Sequence, residues 1–243
     1  MIFLYTDFGW AGPYVGEMKA VLARDLPTVT LVDLMHDAPA FNPRANAYLL
    51  AALSKRFVVG DLCVAVVDPG VGDANRRAVM LEADGIRFVG PDNGLFAVVA
   101  RRAKMVRCEE ILWRPVNCSD SFHGRDIFAP VASQWHRDIL IESRCILPDS
   151  LGGTEFPEQL AEVIYIDHFG NAVTGLNAKK LPSSACLLIS GQRLAYAPTF
   201  SRVAAGEMFW YANSMGLVEI AANRAHAAAR LELEIGTCID LMQ

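Results

Sequence analysis

Val64-Ala-Val-Val-Asp-Pro-Gly-Val-Gly-Asp-Ala-Asn-Arg-Arg77 is the stretch whose reading decides the fold. Val64–Val67 is an apolar, β-branched run, the pattern of a strand buried on both faces. It ends on Asp68, after which Pro69, Gly70 and Gly72 turn the chain and Arg76 and Arg77 follow. Open α/β sheets place their ligand crevices outside the carboxyl ends of parallel strands. A carboxylate that closes a buried strand beside a glycine-rich turn is therefore a candidate active-site Asp, and an Arg shortly after the turn can fold back over it. The same residues also suit a surface turn whose Asp caps a loop.

Working outward, the elements around this stretch alternate. Ile2–Thr6 reads as a strand, Tyr14–Asp25 as a helix with Val15, Met18, Val21 and Leu22 on one face, and Val29–Leu34 as a strand. Pro43 opens a helix that runs to about Arg56. Leu62–Asp68, Ala78–Ala83 and Ile86–Val89 follow as strands, and a helix after Gly94 runs to about Ala103. Met105–Cys108 is strand-like, and a further helix follows Asp126 as far as Arg137. This alternation predicts an α/β domain with a mostly parallel sheet over residues 1–150. Pro148–Gly153 and Pro157 read as a linker. Beyond it come short strands at Ala161–Asp167, Ala185–Ser190, Gln192–Tyr196, Met208–Ala212, Leu217–Ala221, Ala229–Ile235 and Thr237–Leu241, with a helical turn or two within Ala221–Ala229. Residues 158–243 are thus expected to form a smaller all-β barrel.

Composition narrows the function. The chain has 243 residues, of which 53% are hydrophobic and 20% charged, so it can bury a sizeable core. A net charge of −5 supplies no basic excess for phosphates, which argues against a nucleic-acid partner. No apolar run reaches the roughly 18 residues of a membrane span. Met1 leads directly into Ile2-Phe-Leu-Tyr5 with no basic segment, so no secretory leader is expected. Six cysteines are scattered without a C-x-x-C pair or zinc-site spacing, the usage of reduced thiols in a cytoplasmic protein.

Four polar clusters close strands or open helices in the first domain: Thr6–Gly9, Asp68–Gly72, Pro91–Gly94 and Phe122–Asp126. Strand ends on one edge of a sheet converge in space, so Asp7, Asp68 and His123 can share one crevice and, with a guanidinium, hold and polarise a water molecule. Asp92-Asn93-Gly94 also makes a good turn without further purpose. Asp126 has the residue type of a helix cap, with Arg125 as its surface neighbour. His123 stands in a loop entering a helix, where a functional histidine is at home. His36, His136, His168 and His226 lack such company and read as structural. In the second domain, Asp167–Asn171 and Asn213–Gly216 suit hairpin turns or the recognition of a small polar ligand.

The six motifs TDFG, DPGVG, GPDNG, FHGRD, DHFGN and NSMGLVEIA, in this order over nearly the whole chain, resemble the S-adenosyl-L-methionine (SAM) hydroxide adenosyltransferases, or SAM hydrolases, relatives of the SAM-dependent fluorinase and chlorinase. The resemblance implies an N-terminal α/β domain, a C-terminal β-barrel, a homotrimer, and SAM bound between the first domain of one subunit and the second domain of its neighbour. It implies hydrolysis of SAM to adenosine and L-methionine, with SAM as substrate and no cofactor or metal. By motif, Asp68, Arg76 and His123 match the set that handles the water. Arg77 remains an alternative, because many members place the Arg one residue closer to the Asp. Asp7 matches the carboxylate on the ribose hydroxyls, Asp167 the group meeting the methionine amino group, Asn171 the one meeting adenine, and Ser214 a contact to the methionine carboxylate. Met215 stands where the halogenases carry Arg, and Gly124 where the fluorinase carries a hydroxyl residue. Two other readings compete. One is a metal-dependent phosphohydrolase using Asp7, Asp68, Asn93 and His123, whose residue types are familiar ligands but lack closely spaced pairs. The other is a module that binds SAM or adenosine without turnover.

Overall fold

A computed structural model describes residues 1–73 and 75–242; Ala74, inside the turn quoted above, and Gln243 lie outside them. The backbone divides into two compact units, Met1–Phe156 and Pro157–Gln243. The first unit runs β1 (Ile2–Thr6), α1 (Tyr14–Asp25), β2 (Leu31–Met35), α2 (Pro43–Leu53), β3 (Leu62–Val66), β4 (Ala78–Ala83), β5 (Ile86–Pro91), α3 (Ala97–Arg102), β6 (Val106–Ile111), α4 (Ala129–His136) and β7 (Ser143–Ile146).

Its sheet has the order β2-β1-β3-β5-β4-β6-β7. The expected parallel arrangement holds in part: β1 pairs parallel with β2 and β3, joined through α1 and α2, and β3 pairs parallel with β5, reached through β4. The rest is an antiparallel flank, β5-β4-β6-β7. Its cause is local. Only Asp84 and Gly85 join β4 to β5, both with left-handed backbone (φ 51° and 80°), the tight primed turn that returns a strand antiparallel. Within the parallel part, Ile2, Leu4, Leu62, Val64 and Val66 face one core with Met18 and Leu22 of α1 and Val131 and Ala132 of α4. On the other side of the sheet α2 packs with α3. There Asn46 is fully buried, accepting from the Tyr5 hydroxyl (2.5 Å) and donating to the carbonyls of Pro39 (2.7 Å) and Asn42 (2.8 Å).

The order β2-β1-β3 contains a reversal. From β1 the chain steps to one side, to β2, and then returns to the other side, to β3, so the carboxyl ends of β1 and β3 flank a topological switch point. Thr6 is paired with Val66, so Asp7 and Asp68 leave adjacent strand ends.

The second unit contains β8 (Leu160–Ile166), β9 (Ala172–Asn177), β10 (Cys186–Ile189), β11 (Gln192–Leu194), β12 (Met208–Ala212), β13 (Leu217–Ala222), α5 (Ala227–Leu231) and β14 (Asp240–Met242). Its two antiparallel sheets, β12-β13-β9-β8 and β11-β10-β14, are joined at both edges by the bridges Glu162–Cys238 and Tyr196–Trp210. The ring is therefore closed as a small barrel, filled by Val163, Leu187, Trp210, Val218, Ile220 and Ile239 among others. Closure removes the exposed strand edges that two small sheets would otherwise present.

One expected strand is absent, and one strand that the sequence reading does not include is present. Ala229–Ile235 is not a strand: His226 Nδ1 accepts from the Ala229 amide (3.0 Å), capping α5, and Glu232 ends that helix in a left-handed conformation. The strand β9 (Ala-Val-Thr-Gly-Leu-Asn) has only Val173 and Thr174 as β-branched residues and is interrupted by Gly175, where a Cβ would come within 2.5 Å of Leu160 Cβ on β8. Among the described residues no helix is long and apolar enough to cross a membrane. All six cysteines are free, and burial pushes the Cys108 thiol up to about 11.

The Asn46 cluster yields a stability test. Asn46→Ala removes three buried side-chain hydrogen bonds, from the Tyr5 hydroxyl and to the Pro39 and Asn42 carbonyls, and is expected to cost about 2–4 kcal/mol in urea unfolding. A loss under about 0.5 kcal/mol would mean that these bonds are replaced by solvent.

Candidate active site

In the first unit a cavity of about 450 Å³ opens at the switch point. Asp7, Asp68 and His123 all line it. Asp7 follows β1, Asp68 follows β3, and His123 opens the turn before α4, so three of the strand-end and loop clusters converge. The walls between them are aromatic: Phe8, Tyr14, Phe41, Phe122 and Phe128.

Asp68 is held from below. Its Oδ1 accepts from the Gly70 amide (3.2 Å) and from Arg76 Nη1 (3.3 Å), and its side chain is 4% exposed. Its Oδ2 is shielded and accepts no hydrogen bond from any described residue. Gly70 makes the Arg76 approach possible, because a Cβ there would stand 2.6 Å from Arg76 Nη2. Arg77 points elsewhere. It pairs with Asp92 (Nη2–Oδ2 2.5 Å, Nε–Oδ2 2.8 Å) and donates to the Ser150 carbonyl. Asp92 also accepts from the Gly152 amide (2.7 Å), and Asn93 donates to the Val67 carbonyl (2.8 Å). The Pro91–Gly94 cluster is thus spent on bracing the strand ends.

Asp7 Oδ2 accepts from the Phe41 amide (3.0 Å). Burial raises the Asp7 carboxyl above its ordinary value, the Phe41 and Asp7 amides oppose this, and the charge of Asp68 adds to the rise. Phe41 itself has left-handed backbone (φ 58°), a conformation costly for an aromatic residue and common where geometry serves a site.

His123 precedes a single π-helical turn, Gly124–Phe128, that runs into α4; such bulges recur at functional sites. Asp126 is not a helix cap. It takes a two-pronged ion pair from Arg125 (2.7 and 3.0 Å) and the Ser119 amide (2.9 Å), tying the preceding loop to the turn. Arg125 also reaches Glu17 of α1 (2.7 Å). A side chain at Gly124 would press on Met18 Sδ (3.1 Å) and Phe122 (3.2 Å), so the turn accepts glycine best.

In the second unit, Asp167 and Asn171 line a separate cavity with Phe169, Phe200, Tyr211 and Arg224. Asp167 organises the β8–β9 turn: Oδ1 accepts from the Phe169 (2.9 Å) and Asn171 (2.8 Å) amides, and Oδ2 from Asn171 Nδ2 (3.0 Å). Ser214 is exposed in the β12–β13 turn and is not among that cavity's walls. Below the cavity, buried Glu219 accepts from Tyr211 Oη (2.5 Å) and Asn213 Nδ2 (2.8 Å). Tyr211, Arg224 and the aromatic walls were not found by motif. Tyr211 and Glu219 are direct cross-strand partners, a signal available once β12 and β13 are aligned. Among the described residues no three His, Cys, Asp or Glu side chains gather as a metal site would require.

The SAM hydroxide adenosyltransferase N-terminal domain matches residues 2–144 and the C-terminal domain of the same family matches residues 161–240. The chain is 36% identical to an (R)-S-adenosyl-L-methionine hydrolase of Thermus thermophilus, with 99% of each chain covered. It is equally identical to one of Salinispora tropica, over 95% of this chain and 93% of that one. Among solved structures, an uncharacterized conserved protein from Thermotoga maritima superposes with a TM-score of 0.90 at 31% identity, covering both chains fully. A conserved hypothetical protein from Thermus thermophilus gives 0.81 at 34% identity, covering 99% of each.

Glu219 yields a pH test. Burial raises its carboxyl above the ordinary 4.5, Tyr211 and Asn213 oppose this, and the Asp167 charge adds to the rise. The folded state therefore holds this proton to higher pH than the unfolded chain, and the stability it contributes declines as pH rises from 4.5 through the folded value. Glu219→Gln removes that decline, so urea unfolding across this window should find the variant gaining on wild type as pH rises. A constant difference would refute the raised value.

Proposed function

The chain belongs to the SAM hydroxide adenosyltransferase family, and from that membership we propose its reaction: S-adenosyl-L-methionine and water give adenosine and L-methionine. The chain is an enzyme, a SAM hydrolase. The metal-dependent phosphohydrolase and the non-catalytic module are not favoured, because the relatives matched over nearly the whole chain are SAM hydrolases.

Asp68, Arg76 and His123 handle the water in this reading. The observation that carries it is the half-satisfied Asp68 carboxylate: Arg76 and Gly70 occupy Oδ1, while the shielded Oδ2 accepts no hydrogen bond from a described residue, at a cavity that Asp68 and His123 both line. The sulfonium already carries a good leaving group, neutral methionine, so no general acid is needed. The site must set a nucleophile in line with C5′ and sulfur, and water, being weak, gains from a carboxylate that orients it or takes its proton. A halide needs no deprotonation and is repelled by the paired charges of Asp7 and Asp68. Aromatic walls with carboxylates among them also suit a cation. Arg76 is preferred to Arg77 because Arg77 is committed to Asp92.

Asp7 takes the ribose hydroxyls, Asp167 the methionine amino group and Asn171 the adenine, the last two beside Phe169 and Phe200, whose rings suit a purine. Ser214 takes the methionine carboxylate. The two sets serve one substrate molecule through a homotrimer, the first domain of one subunit acting with the second domain of its neighbour. No metal or other cofactor takes part, and the free thiols suit the cytoplasm.

Four experiments test this. Asp68→Asn should fold and bind SAM with a nearly unchanged Kd, while kcat falls about 10²–10⁴-fold, the usual general-base contribution. In ¹⁸O-water the wild-type adenosine should carry the label in its 5′-hydroxyl, and exhaustive chelation should leave turnover intact. Near-normal turnover of the variant, an unlabelled hydroxyl, or activity restored only by added metal would each sink the reading. Separately, mixing inactive Asp68→Ala and Asn171→Ala chains should regain activity through hybrid sites; no recovery in mixtures that demonstrably exchange subunits would count against shared sites.

A further inference from the structure

Thr6, His36, Asp33 and Lys19 form a continuous hydrogen-bonded chain beneath the Thr6–Gly9 loop, and no step of the reaction above uses them. Thr6 Oγ1 and His36 Nδ1 are 2.8 Å apart, His36 Nε2 and Asp33 Oδ1 3.1 Å, and Lys19 Nζ donates to Asp33 Oδ2 at 2.8 Å. Although burial pushes the Asp33 carboxyl up, the hydrogen bonds from Lys19 and His36 hold it below its ordinary value. An ionised carboxylate only accepts, so Nε2 carries the proton in the neutral imidazole and Nδ1 accepts from the Thr6 hydroxyl. The Thr6 oxygen is then an acceptor for the Phe8 amide, which lies 3.3 Å away. Two backbone bonds clasp the same segments: Gly9 N–H to the His36 carbonyl (2.7 Å) and Ala38 N–H to the Thr6 carbonyl (3.3 Å).

The order hydroxyl, imidazole, carboxylate resembles a nucleophilic triad. Thr6 and His36 are both 0% exposed, however, so no substrate reaches the hydroxyl and the chain has no nucleophilic use. What it holds is the loop. Asp7 lies between the two anchored residues Thr6 and Phe8, and its carboxylate is gripped from the other side by Phe41, five residues beyond His36.

We propose that Thr6, His36 and Asp33 are positioning residues that set the Asp7 carboxylate at the cavity wall for the ribose hydroxyls of the substrate. The inference rests on the assignment of Asp7 to the ribose. Thr6→Val keeps the branched shape and removes the hydroxyl, which strands the Phe8 amide and His36 Nδ1. With SAM as substrate, KM should rise about tenfold, the worth of one such hydrogen bond, with kcat held within about twofold. Thr6→Ser should restore KM. Asp7→Ala should raise KM as well, and Thr6→Val added to it should bring no further rise, because Thr6 acts through Asp7.

A raised KM in Asp7→Ala with a wild-type KM in Thr6→Val, or additive effects in the double variant, overturns the positioning role alone. An unchanged KM in Asp7→Ala overturns the ribose assignment and this proposal with it. If Thr6→Val does not fold, as judged by circular dichroism and thermal melting, Asp33→Asn at the partly exposed end of the chain carries the same comparison, with the same two overturning results.

Discussion

The structure depends on the parallel pairing of β1 with β3. With Thr6 opposite Val66, the strands end together where the chain, having stepped from β1 to β2, returns to the other side of β1. Two acidic residues leave those ends, and neither can move away without disturbing a strand of the core. The consequence is electrostatic: each carboxylate is partly desolvated, and the Asp7 carboxyl is raised by burial with a contribution from its neighbour's charge. Such an arrangement costs folding free energy and is retained where a ligand uses it. A cation bound beside them would relieve the repulsion.

The means by which those carboxylates are held differ. Asp68 is held by a turn that has no side chain at Gly70, so the Arg76 guanidinium can lie against it. The Asp7 carboxylate accepts from the amide of the left-handed Phe41, and the Thr6–His36–Asp33 chain bonds the residues on which its loop begins. Both arrangements use rigid strand ends as their base and spend polar groups on fixing an oxygen in place, the condition for a site that must orient a weak nucleophile.

The second unit solves a different problem. Seven short strands in two small sheets would expose four edges, and the bridges Glu162–Cys238 and Tyr196–Trp210 remove them. Closing the ring also sets the registers that carry polar pairs, among them Tyr211 opposite Glu219, which form the floor beneath the cavity at Asp167 and Asn171.

Much of this was legible in the amino-acid order because its causes are local. Apolar runs that end in Asp-Pro-Gly, Thr-Asp-Phe-Gly or His-Gly-Arg-Asp mark strand ends and helix entries by turn chemistry and periodicity, and the alternation of elements implies the parallel core. Six ordered motifs pointed to the family. Other features were decided by contacts between distant residues. Arg76 and Arg77 are equivalent as neighbours in sequence, but the tight β4–β5 turn brings Arg77 opposite Asp92, leaving Arg76 to Asp68. Asp126 has the residue type of a cap, yet a π-helical turn aims it at Arg125 and Ser119. The strand β9, interrupted by Gly175, lies between β13 and β8 and is paired on both sides. The sequence by itself determined which chemical groups stand at which strand ends, because turn and strand preferences act over a few residues. Only the tertiary structure decided which of them meet, because register and burial are properties of paired elements.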